Sequence, residues 1–321
     1  MPTSKSAKAG KPPLLVTMGE PAGIGPEVAA AAFAALGGRI EGRPLLVVGD
    51  ADVFGSCGAV PPEAIVRTKA CATRTPGKAD AANAAATIEA ITLAVEMTLK
   101  GEACAVTTAP INKAVLMQAG FGFPGHTDFL AKLTGAPRAV MMLAGGQLRV
   151  IPLTVHIPLA QVPRSIDAAS IIETAEIALA ALKRDFAIAC PRLAIAGLNP
   201  HAGEDGELGR EETDIIAPAI AELKRRGHLV LGPLPSDTMF HAEARARYDA
   251  ALCMYHDQAL IPIKTLSFWE GVNVTLGLPI VRTSPDHGTG FDIAGKNIAD
   301  PRSMIAAIRL AAKMADARVR T

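Results

Sequence analysis

Short apolar runs alternate along this chain with alanine-rich stretches of helical periodicity, and this alternation leaves few folds open. PLLVTM (13–18), RPLLVVG (43–49), ACAVTT (103–108), RLAIAGL (192–198) and DAALCMY (249–255) are continuously apolar over strand length, so they read as strands buried on both faces. Between them, Asp80 to Leu99 carries apolar residues at helical spacing with no proline or glycine. At Asp300-Pro301 an N-cap residue precedes a proline at the first helical position, after which Met304, Ile308 and Ala311 share one face. Buried strands alternating with helices make an α/β chain with a largely parallel sheet. AVMMLA (139–144) and LRVIPLTV (148–155), joined through Gly145-Gly146, have the pattern of an antiparallel hairpin, which opens a second domain after about residue 140.

Half of the 321 residues are apolar, enough for a substantial core, so a disordered or fibrous chain is excluded. With 32 basic residues against 31 acidic ones, no global charge points to nucleic acid or an anionic membrane, and any anion must be met locally. Aromatics make up 4%, too few for base-stacking platforms. The start, MPTSKSAKAGKP, is basic but lacks an apolar segment after it, and no apolar run approaches the roughly 18 residues of a membrane span. The expectation is a cytoplasmic protein with a frayed beginning. Cys57, Cys71, Cys104, Cys190 and Cys253 are odd in number and form no CxxC pair, which suits reduced thiols packed as small hydrophobes.

Polar residues that are costly to bury gather at the carboxyl ends of the expected strands, the edge where open α/β sheets bind ligands. LTVHIPL places His156 there, AGLNPHAGEDGELG places Asn199 and His201, and CMYHDQALIPIK places His256, Asp257 and Lys264. Three strand-end histidines can converge on one divalent metal, and three protein ligands with an open position suit a catalytic site; each taken alone is more often a hydrogen-bonded structural histidine. GFPGHTDFLA sets His126 and Thr127 at a helix mouth, where backbone amides, a hydroxyl and an imidazole can face an anion, although Thr127 also serves as a plain N-cap. In GVNVTLGLPIVRTSPDHGT, Asn273 and Arg282 lie on or beside strand-like runs, and arginine can pair bidentately with phosphate or carboxylate. GEPAGIGPE (19–27) is a tight turn into a helix starting near Pro26. Glu211, Glu212 and Asp214 read as acidic residues of a helix's opening turns. There is no GxGxxG, GxSxG or HExxH, and GFDIAGK (290–296) has Asn297 where a P-loop needs serine or threonine.

MGEPAGIGPE, GHTDFLA, LNPHAGEDGELGREE, GPLPSDTMF, MYHDQALIPIK and GVNVTLGLPIVRTSPDHGT, in this order, closely resemble the 4-hydroxythreonine-4-phosphate dehydrogenase family of pyridoxal 5′-phosphate biosynthesis, from about residue 14 to about 315. The resemblance implies a homodimer of two-domain α/β/α subunits similar to isocitrate and isopropylmalate dehydrogenases, with the active site in the interdomain cleft near the dimer interface. On that plan residues 1–12 are a disordered extension, 13–135 plus 270–321 a discontinuous first domain, and 136–269 a second domain with the dimerisation and metal-site residues. It further implies a divalent metal (zinc, magnesium or cobalt) held by His156, His201 and His256 shared between partners, NAD or NADP as cofactor, and substrate binding by His126, Thr127, Lys264, Asn273 and Arg282. The implied reaction is oxidation of 4-phosphooxy-L-threonine at C3 followed by loss of CO2, with Lys264 or Asp237 moving the proton. Ala259 stands where many relatives carry glycine, and SPDHGT with Asp286 is similar to the vitamin-pathway branch. Paralogues acting on threonate or erythronate 4-phosphate or on aromatic cis-dihydrodiols, and a metal-dependent hydrolase, are the other readings of these motifs.

Overall fold

A computed structural model describes residues 10–320 except 59 and 124, so the expected extension over 1–12 lies, through residue 9, outside the described residues. The chain packs as two units, Met1–Gly122 with Gly288–Ala312 and Phe123–His287 with Lys313–Thr321. No described helix is long and apolar enough to cross a membrane.

In the first unit β1 (Leu14–Thr17) lies between β3 (Arg43–Gly49) and β5 (Ala105–Thr108), parallel to both; β4 (Ile65–Arg67) continues the parallel set beyond β3, and β2 (Arg39–Ile40) pairs antiparallel with it. Every residue of β1 and β5 is buried, as expected of continuously apolar strands covered on both faces. The helix Ala84–Leu99 buries Thr87, Ala90, Ile91, Ala94, Val95 and Thr98, a stripe at the three- and four-residue spacing its sequence carries. The helix Arg302–Arg320, which belongs to this unit through Ala312, begins two residues after Asp300, whose Oδ1 accepts the Arg302 N–H at 2.9 Å, and Met304, Ile308 and Ala311 are buried.

The second unit has seven strands in the order β12-β11-β6-β7-β10-β8-β9: β6 (Val140–Gly145), β7 (Leu148–Thr154), β8 (Arg192–Ala196), β9 (Leu229–Leu234), β10 (Ala250–Tyr255), β11 (Val272–Leu276) and β12 (Arg282–Pro285). The expected hairpin is β6–β7, turning at Gly146, whose φ of 54° glycine adopts without strain. From β7 through β10 and β8 to β9 all neighbours are parallel, so their carboxyl ends share one edge; β6 is antiparallel to β7, and β11 is antiparallel to both of its neighbours, β6 and β12. The core on one face joins Leu143, Val150, Ala194, Ala251 and Cys253 of the strands to Ala259 and Ile263 of the helix His256–Leu266.

The cysteines depart from the expectation. Only Cys253 is buried, where desolvation pushes its thiol pKa up; Cys71 and Cys190 are exposed and Cys57 and Cys104 half-buried. Cys57 ends a helix, Cys71 lies in an irregular stretch after β4, and Cys104 and Cys190 stand just before strands, where an apolar neighbourhood in sequence does not say which side of the backbone meets solvent.

Candidate active site

All nine residues expected at the site lie in the second unit, in two groups. The first occupies the common edge of the parallel strands. His156 follows β7, His256 follows β10, His201 follows β8 and Asp237 follows β9, so four neighbouring strand ends each deliver one candidate. The rings of His156 and His256 stand 5.8 Å apart between centroids. His256 opens its helix, and its Nδ1 lies 2.7 Å from Asp257 Oδ1. An ionised carboxylate only accepts, so Nδ1 carries the proton and Nε2 keeps a lone pair for a cation.

His156 and His201 sit at φ of 53° and 50°, in the left-handed region that costs a non-glycine residue roughly 1 kcal/mol or more and that clusters at functional sites. Three imidazoles, one with its Nδ1 engaged by a carboxylate, are the donor set a divalent cation takes, and the residues fit such an ion in kind. Within one chain, among the described residues, no three His, Cys, Asp or Glu side chains close into a metal-holding group.

The second group lies across β11 and β12. Register pairs Asn273 with Ser284, and strand alternation puts Thr275 and Arg282 on the same side, confirmed by the bond from Arg282 to Thr275 Oγ1 at 2.9 Å. Beside β11, β6 sets Leu143 opposite Asn273, which makes this the face covered by the helix His256–Leu266. Lys264, in the last turn of that helix, pairs with Asp286 at 2.9 Å, and Asp286 continues the alternation through Arg282 and Ser284.

Arg282 is 4% exposed, and burial pulls its pKa down to about 9, which leaves it a cation at neutral pH. Its guanidinium also donates to His126 Nδ1 at 3.3 Å. Because arginine only donates, Nδ1 of His126 holds the lone pair and a neutral ring carries its proton on Nε2. His126 and His256 are thus in opposite tautomers, one fit to donate to an anion and the other to ligate a cation. The helix His126–Thr134 is capped by Gly125, not by Thr127, so Thr127 and His126 occupy the first turn, where backbone N–H groups favour an anion.

Two residues that place the histidines were not recognisable as such in the sequence. Glu212 does open a helical segment, as its position implied, but it is 2% exposed and its carboxylate accepts N–H groups of Leu198 and Asn199 at the root of the His201 turn. Gln258 is buried, accepts the Met254 N–H at 2.6 Å and donates to Gly197 O at 2.7 Å, tying the ends of β10 and β8 together. The only advance signal was a long polar residue two or more positions from a strand-end histidine.

Residues 49–311 match the model of the family described as pyridoxal phosphate biosynthetic protein PdxA. The chain is 51% identical to 4-hydroxythreonine-4-phosphate dehydrogenase of Caulobacter vibrioides, over 95% of this chain and 98% of that one. Among solved structures it is similar to 4-hydroxythreonine-4-phosphate dehydrogenase of Klebsiella pneumoniae (37% identity, TM-score 0.83, covering 94% of this chain and 99% of that one). It is less similar to a terephthalate 1,2-cis-dihydrodiol dehydrogenase of Burkholderia xenovorans (30% identity, TM-score 0.66, covering 94% and 97%). With its two groups of site residues on one α/β unit and a match of this extent, the chain belongs to the PdxA family of pyridoxal phosphate biosynthetic proteins.

Proposed function

We propose that this chain is an NAD(P)-dependent dehydrogenase that oxidises the C3 hydroxyl of 4-hydroxythreonine 4-phosphate to a ketone, whose β-keto acid loses CO2 to leave 3-amino-2-oxopropyl phosphate, a step of pyridoxal 5′-phosphate biosynthesis. The observation that carries this reading is the buried Arg282 bonded to His126, with Asn273 on the same strand face and the Lys264–Asp286 pair beside it. A dianionic phosphate needs several donors in fixed geometry, and a cation already desolvated by the fold recovers energy when an anion reaches it. The relatives at about half identity bear the phosphorylated amino-acid name, whereas the dihydrodiol enzyme stands at 30%, which favours the vitamin-pathway substrate over the paralogous ones.

His126, Thr127, Asn273, Arg282 and Lys264 anchor the substrate. Lys264 meets Asp286 as an ion pair, the arrangement of a cation that holds an anion. Asp237 is exposed just past β9, on the edge that carries the three histidines, and is the better placed to take the hydroxyl proton as hydride leaves C3 for the nicotinamide. His156, His201 and His256, shared between two subunits, would hold a divalent cation. Bound there, such an ion supplies Lewis-acid polarisation of the substrate's oxygen. The second subunit would cover the outer side of the helix His256–Leu266 and the turn that follows it, where Ile261 and Leu266 of the helix and Phe268 and Trp269 of the turn are all exposed, which is unusual for a surface that meets only water.

The test is nicotinamide reduction by chelator-stripped protein with 4-phosphooxy-L-threonine, before and after restoring zinc, magnesium or cobalt singly, with threonate 4-phosphate run alongside. Reduction restored by metal with the amino-acid substrate is expected. Turnover of threonate 4-phosphate alone would move the chain to a paralogous activity, and silence with both would overturn the dehydrogenase reading.

A further inference from the structure

The turn that carries His201 is wound against the preference of its residues. His201, Ala202, Gly203, Glu204 and Asp205 have φ of 50°, 55°, 83°, 41° and 55°, five consecutive left-handed residues of which only one is glycine. Bonds from Ala202 N to Asn199 O and from Leu208 N to Gly203 O close the turn on itself, and neither ties it to the rest of the unit. Glu212 supplies that tie. Its Oε1 accepts the N–H groups of Leu198 and Asn199, both at 2.7 Å, and its Oε2 accepts Asn199 Nδ2 at 2.9 Å. Two glycines make room for the carboxylate: a Cβ at Gly203 would stand 2.7 Å from Oε2, and one at Gly197 3.0 Å from Oε1.

We propose that Glu212 is a positioning residue for His201, holding the root of the Asn199–Gly206 turn so that this imidazole stays on the sheet edge with His156 and His256; the proposal rests on reading those three histidines as metal ligands. Charge-assisted bonds from three donors are strong and directional. Without the carboxylate the Leu198 and Asn199 N–H groups lose their acceptor, Asn199 Nδ2 keeps only its bond to Glu211 Oε2 at 2.8 Å, and the left-handed turn loses its clamp, so the chain relaxes toward the right-handed conformations its side chains prefer. The loss then falls on cation affinity and not on phosphate anchoring, because Arg282 and His126 stand on other elements.

The full-length metal-free protein and its Glu212→Ala, Glu212→Gln and Asn199→Ala variants are titrated with cobalt(II) by calorimetry, with thermal melts and with steady-state kinetics at saturating cobalt. Glu212→Ala is expected to weaken cobalt binding about 10- to 100-fold, the usual effect of removing an outer partner of a metal ligand. Its KM for the phosphorylated substrate should be unchanged, and Glu212→Gln, which keeps an acceptor for the two amides, should regain most of the cobalt affinity. A folded Glu212→Ala that binds cobalt as the wild type does overturns the proposal. If Glu212→Ala does not fold, Asn199→Ala decides, since it removes one donor and leaves the carboxylate: several-fold weaker binding supports the proposal and wild-type affinity overturns it. A wild-type protein that takes up no cobalt overturns the metal reading itself, and the proposal with it; wild-type uptake left unaltered in the variants overturns only the role of Glu212.

Discussion

At the scale of single residues, one hydrogen-bond partner decides what a histidine can do. Asp257 accepts the Nδ1–H of His256 and leaves Nε2 for a cation, while Arg282 donates to Nδ1 of His126 and leaves Nε2–H for an anion. Arg282 therefore matters twice, as a cation and as the group that sets a tautomer. Arg282→Ala should raise KM for the phosphorylated substrate by about two orders of magnitude, the usual loss for truncating one partner of a buried charge-assisted contact. Arg282→Lys should recover little of it, because a point charge cannot bond Thr275 and His126 and also offer a planar fork. Steady-state kinetics with the phosphorylated substrate checks both. The residues proposed to touch a ligand stood out in the sequence because His, Arg and Lys beside apolar strands are costly unless used. Glu212 and Gln258 were not, since the sequence shows an acid opening a helix and a glutamine beside a histidine, and only packing reveals that both are buried and bonded to strand ends.

Elements were the most legible level. Each continuously apolar run became a strand, and the expected hairpin formed with its reversal at Gly146-Gln147, one residue beyond the glycine pair's first member, which ends β6, because burial on both faces and a two-residue reversal leave direct marks in residue order. The cysteines failed for the complementary reason, that exposure at an element's end depends on what lies above it. The helix Ala217–Arg225 adds a pH-dependent contribution. Bonds from Arg225 and then Arg226 hold the Glu222 carboxyl down to about 2, well below its ordinary 4.5. A depressed folded-state pKa stabilises the fold above the unfolded value and ceases to do so as pH falls through the folded one. Glu222→Gln should thus be less stable than the wild type at pH 7, and the difference should shrink between pH 4.5 and about 2. Urea titrations of both proteins across that range measure it.

For the whole molecule the proposed dimer sets the expectation. Ile261 and Trp269 are 65% and 52% exposed on one chain, and an acidic residue there would cost little in a monomer. Ile261→Glu with Trp269→Glu should leave the chain folded by circular dichroism, with a melting temperature lowered only by the lost association, shift sedimentation to the monomer, and abolish nicotinamide reduction by separating the shared histidines. A dimeric, active double variant would place the second copy elsewhere. The sequence by itself determined the α/β class, the strands and the chemical types at their ends, because burial periodicity and turn residues act locally along the chain. Tertiary structure alone decided that β10 lies between β7 and β8, which aligns three distant histidines on one edge, and that Arg282 is buried against His126. Strand order and burial come from contacts between segments far apart in the chain, and those leave no mark in the order of neighbouring residues.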